Sequence, residues 1–113
     1  MDLEFYKKGF SPATPSVYYD VLVSKLSDVA IESVYADFYS TSTFNDIDKL
    51  KNIKSETLII SANDDYIMPK NASKILSDNI KQNTWLQVAD AGHFIVTEKP
   101  SVVAEMINDF VTK

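Results

Sequence analysis

Glycine and cysteine are what this sequence has least of. Only Gly9 and Gly92 occur in 113 residues, and cysteine is absent. The dinucleotide turn, the phosphate loop and the Gly-x-Ser-x-Gly elbow of a hydrolase nucleophile each need several glycines close together. Two glycines near opposite ends of the chain supply none of these, so no cofactor is expected. Without cysteine there is no disulfide framework, thiolate nucleophile or zinc-thiolate site. That suits a reducing compartment, and a cytoplasmic location is the expectation. Long apolar runs are missing too, and Met1-Asp2-Leu3-Glu4 has neither the basic stretch nor the apolar run of a signal peptide. Basic residues are outnumbered, eleven against sixteen acids, for a net charge of −5. Lys7-Lys8 and Lys49, Lys51 and Lys54 are short clusters diluted by acids. Such a surface repels phosphate backbones and anionic lipid, so neither nucleic acid nor a membrane is expected as a partner. What remains is ordinary globular composition, 45% hydrophobic and 24% charged, in a chain the size of one domain.

The first ten residues carry little pattern. Thr14-Pro15 reads as an N-cap followed by proline at the first helical position, and Val17, Tyr18, Val21, Leu22 and Leu26 predict a helix over 15–26. Ser27 and Asp28 are capping residues for a second helix with an apolar stripe of Ile31, Val34, Tyr35 and Phe38, and with Tyr39 beside it. The polar stretch Ser40 to Thr43 is expected to end that helix, with a short helical turn over 46–50 leading onward. Composition changes at Glu56. Thr57-Leu58-Ile59-Ile60-Ser61 is an apolar, β-branched run without polar alternation, the pattern of a strand in a parallel sheet. An acidic loop ending in Pro69 follows, then a helix over 70–80 and a second strand over 84–89. Asp90-Ala91-Gly92-His93 turns the chain, and Pro100 opens a helix with Val102, Val103, Met106, Ile107, Phe110 and Val111 at helical spacing. The order strand, helix, strand, helix is a βαβα unit. The chain therefore divides into a helical segment, 1–52, and an α/β segment, 53–113.

Parallel α/β sheets carry functional groups on the loops that follow the carboxyl ends of their strands. Here those loops hold Asp64-Asp65 and His93, the sole histidine. Adjacent strands lie about 4.8 Å apart, so the two loops are within reach of one another. A carboxylate beside an imidazole fixes its tautomer and stabilises the cation formed when it takes a proton. The residues alone also admit a plainer reading, in which the histidine is structural and the aspartates form a turn. A metal site built from Asp64, Asp65, Asp90 and His93 is a third possibility, though their spacing matches no known metal loop.

Leu58-Ile59-Ile60-Ser61-Ala62-Asn63-Asp64-Asp65-Tyr66-Ile67-Met68-Pro69, followed by Ala91-Gly92-His93-Phe94 and Glu98-Lys99-Pro100, resembles the C-terminal part of the α/β-hydrolase family. In that family a Gly-x-x-Asp-x-x-x-Pro loop presents the catalytic acid and a later Gly-His supplies the base. Aligned on Pro69, the acid is Asp65 and the base His93; the family glycine is replaced by Ala62. The resemblance implies an α/β fold, a C-terminal hydrolase fragment preceded by cap-like helices, acting on ester or similar acyl bonds. It covers 53–113 closely. Over 11–52 the helices resemble the end of a lid, in which Tyr35, Phe38 and Tyr39 would line a substrate pocket. Phe44 to Ile53 would then be the return from cap to core.

The family order is nucleophile, acid, base, and this sequence carries the last two. Of twelve serines none has both flanking glycines of an elbow; Ser61, at a strand end, is the nearest candidate by position, and a structural role fits it better. The oxyanion loop is missing as well. The expectation is the Asp-His part of a Ser-Asp-His triad, a truncated or split hydrolase that is inactive alone and is completed by a separate N-terminal half acting on a small acyl substrate. An open strand edge also predicts self-association. The competing expectation is a non-catalytic binding or assembly module that keeps the scaffold without the chemistry.

Overall fold

The structure is a computed structural model that describes residues 3–26 and 28–113. Ser27, read above as a cap, lies outside the described residues. Two parallel strands, β1 (Thr57–Ala62) and β2 (Asn83–Val88), form a sheet in register from Thr57 opposite Asn83 to Ala62 opposite Val88. The helix α4 (Ala72–Asn79) links them and packs on both, while α6 (Pro100–Val111) packs against β1 and the short turn α5 (Ile95–Glu98). The result is a mixed helix and strand architecture with a small parallel sheet. Among the described residues that sheet has two strands, so β1 has β2 on one side and no strand on the other.

The core lies within this unit. Ile59 of β1, Ile80 after α4, Val88 of β2, Ala91 and Val103 of α6 are buried, joined from the N-terminal side by Phe10. Each large side chain removed from water contributes about 1.5–3 kcal/mol. On α6 the row Val103, Met106 and Phe110 faces inward, whereas Val102, Ile107 and Val111, which flank it, are exposed. The end of α4 is tied down by Asn83, whose amide donates to the carbonyls of Ser77 and Ile80 at 2.9 and 2.7 Å. After β2, Asp90 takes φ 52°, a left-handed conformation that aspartate tolerates better than most residues, and this reverses the chain into Gly92-His93.

Before β1 come α1 (Leu3–Lys7), α2 (Val17–Leu26), α3 (Ile31–Thr43) and a 3-10 turn over Ile47–Asn52. The structure departs from the sequence reading at several element ends, before β1 and after it. Thr14 does not cap α2: its hydroxyl donates to Glu98 Oε1 at 2.6 Å, and the helix begins at Val17, beyond Pro15. Ser40 to Thr43 does not end α3 but forms its last turn. The hydroxyls of Thr41 and Ser42 donate to the carbonyls of Asp37 and Tyr39 at 2.9 and 2.7 Å, and Thr43 shares bonds with Tyr39 and Ser40, so local side-chain bonds satisfy the helix end. The linker helix starts at Ala72 rather than Lys70, because Lys70 and Asn71 form a turn after Pro69. No residue of α2 or α3 is buried. The radius of gyration, 15.7 Å, exceeds the roughly 13 Å of a compact domain this long.

Candidate active site

The acid loop is built by Asp65 itself. Its Oδ1 accepts the backbone N–H groups of Ile67 and Met68, both at 3.0 Å, closing the loop as an Asx turn. Its other oxygen, Oδ2, lies 3.1 Å from His93 Nδ1. The aspartate and histidine side chains are 23% and 34% exposed, sheltered from bulk water yet accessible. Partial burial pushes the Asp65 carboxyl upward, but the Met68 N–H, the His93 bond, the Ile67 N–H and the His93 charge together outweigh it and hold the carboxyl below the usual carboxylate range. An ionised carboxylate accepting Nδ1–H leaves Nε2 as the imidazole nitrogen with a free lone pair. Among the described residues Nε2 has no hydrogen-bond partner.

His93 and Asp65 border a cleft of about 480 Å³ lined also by Met68, Leu76, Trp85 and Ile95. Tyr35, Phe38 and Tyr39 do not line it; they stand on α3, 71%, 52% and 60% exposed. Ser61 borders the cleft, but its hydroxyl accepts the Trp85 indole N–H at 2.8 Å and makes no bond to His93. Asp64 turns away from Asp65 and accepts the Ser11 hydroxyl at 2.5 Å, while Asp90 sits exposed in its turn. Among the described residues no group of three acidic or histidine side chains is arranged to hold a metal ion.

The histidine loop has a support that sequence reasoning missed. His93 N–H donates to the Gly9 carbonyl at 2.6 Å, and Asp64 N–H donates to the Ala91 carbonyl at 3.0 Å. A Cβ on Gly92 would run into the backbone of Gly9, Phe10 and Ser11, and one on Gly9 would strike the Phe94 ring and Ile67. Gly92 thus lies directly against the backbone that begins at Gly9. Phe10, 5% exposed, packs on Phe94 with ring centres 4.7 Å apart and the ring planes tilted by 35°. The available signal was a small residue on each side of a future contact, which sequence spacing cannot pair.

Compared with known protein families and with curated proteins, the chain has no match. Among solved structures it is similar to Est816, an N-acyl homoserine lactone degrading enzyme, with 30% identity and a TM-score of 0.56. The match covers 58% of this chain and 26% of that one. This chain thus spans about a quarter of that neighbour's length. Among the described residues no helix is long and apolar enough to cross a membrane.

Proposed function

We propose that this chain supplies the acid and the base of an α/β-hydrolase acting on ester or similar acyl bonds, the lactone of the solved neighbour being one such bond. The observation that carries this reading is the Asp65–His93 contact at 3.1 Å, with the far oxygen of the same carboxylate anchored by two backbone N–H groups. His93 Nε2 takes the proton of a hydroxyl nucleophile as that oxygen attacks the acyl carbon, then returns it to the leaving group; Asp65 stays ionised and steadies the imidazolium. The nucleophile and the oxyanion donors come from a separate polypeptide segment, since no serine here has the flanking glycines of an elbow. In this reading 1–52 is the cap-like segment and 53–113 the part of the core that bears the site.

Short-chain nitrophenyl esters test this. The chain alone is expected to be silent, and turnover is expected when a polypeptide encoded beside it and carrying Gly-x-Ser-x-Gly is added. His93→Ala should then reduce the rate by at least about 10³-fold. Turnover that His93→Ala leaves intact would refute the assignment.

A second reading, a binding or assembly module, draws on one observation. Ile31, Tyr35 and Tyr39, at four-residue spacing on one face of α3, are all more than half exposed, and an exposed apolar stripe marks an interaction site. Silence in every complemented assay, together with dimers in light scattering, would favour this module.

A further inference from the structure

Ser11 and Glu98 are the buried polar and charged residues among those described, at 3% and 8% exposure. A buried carboxylate is costly unless its oxygens are occupied, and those of Glu98 are. Oε1 accepts the Ser11 N–H at 2.7 Å and the Thr14 hydroxyl at 2.6 Å, and Oε2 accepts the Gly92 N–H at 2.9 Å. These donors come from opposite ends of the chain; Ser11 and Glu98 are 87 positions apart. Ser11 makes a second connection, its hydroxyl donating to Asp64, the neighbour of Asp65. Residues 9–14 thus form a strap bonded to the acid loop through Asp64 and to the histidine loop through His93 and through Glu98, which in turn holds the Gly92 N–H.

We infer that Glu98 and Ser11 are positioning residues, and that the strap they fasten sets the relative placement of Asp65 and His93. Neither touches the pair directly. Glu98 holds the amide immediately before His93, and Ser11 holds the carboxylate immediately before Asp65, so both loops are referenced to one piece of backbone. This rests on the reading of Asp65 and His93 as an acid–base pair, and it adds that the pair depends on a segment far away in sequence.

The test uses the full chain labelled with ¹⁵N, reading the His93 imidazole tautomer and the exchange rates of the Ser11 and Gly92 amides. In Glu98→Gln one oxygen becomes an NH₂ group that cannot accept an N–H. One side of the strap is then released, and exchange at Gly92 or Ser11 is expected to rise about tenfold. The tautomer is expected to shift away from Nδ1–H. Ser11→Ala keeps its backbone bond to Glu98, so it should move the tautomer while leaving Gly92 exchange unchanged. It also serves if Glu98→Gln fails to fold. A merely structural strap would lower the melting temperature without moving the tautomer. An Nδ1–H tautomer in the wild type that persists in both variants, or in Ser11→Ala alone if the other does not fold, overturns the inference and leaves the pair standing. An Nε2–H tautomer in the wild type overturns the pair and the inference with it.

Discussion

Helices α3 and α6 are nearly equal in length, 13 and 12 residues, and each carries an apolar stripe, yet α6 buries Val103 and α3 buries nothing. The α6 stripe is the more strongly apolar of the two, but that is only part of the difference. The rest is what stands opposite: α6 has β1 and α5 to pack on, whereas Phe38 of α3 meets the edge of the Phe5 ring at 5.9 Å and is otherwise half exposed. Apolar periodicity shows that a helix has a face to bury, and a second element must exist to bury it. The α/β segment covers part of its apolar surface with its own elements, and the helical segment offers apolar surface that the described residues do not cover.

The comparison can be broken by substitutions on either side of it. Ile59→Ala in β1 empties a buried site and is expected to cost about 3 kcal/mol in denaturant unfolding; a loss near zero would mean that the sheet is not the core. Gly92→Ala drives a methyl into the strap backbone, and about 2 kcal/mol should be lost, seen as a melting temperature lower by roughly 10 °C. A wild-type melting temperature in that variant would show the strap to be loosely held. Asp65→Asn is expected to cost about 1 kcal/mol at neutral pH, through its bonds to Ile67, Met68 and His93. Because the Asp65 carboxyl is held below the usual range, the wild type's advantage is full above the unfolded value of about 3.9. It fades as pH falls through the lower folded value. Unfolding curves at neutral and acid pH check this, and an advantage that grows on acidification would reverse the sign. The smallest effect belongs to Phe38→Ala, expected within about 0.5 kcal/mol. If it equals Ile59→Ala, the contrast between the two segments is lost.

Much of the α/β segment was legible from residues alone. The unbroken run Thr57 to Ser61, the Pro69 stop and the Pro100 start are local signals, and the elements they mark fall within two residues of the observed bounds. The residues alone left Asp64 and Asp65 open beside the sole histidine, and it was the resemblance to the hydrolase acid loop, aligned on Pro69, that singled out Asp65; the structure brings Asp65 and His93 into contact. The strap was not legible. Thr14 next to Pro15 has the local signature of a cap, but a buried carboxylate with oxygens to fill claims its hydroxyl. Ser40 to Thr43 looked like a helix end because hydroxyl residues compete for the backbone, and here they bond to it without breaking the helix. Gly9 offered no reading at all, since its reason lies in Phe94 and Ile67, far along the chain.

If Asp65 orients His93 for proton transfer, the tautomer of the neutral imidazole reports it most directly. In two-bond ¹H–¹⁵N correlation spectra recorded where the ring is neutral, the Nδ1–H form is expected in the wild type and a change to Nε2–H in Asp65→Ala. An Nε2–H tautomer in the wild type, unchanged by Asp65→Ala, would contradict it.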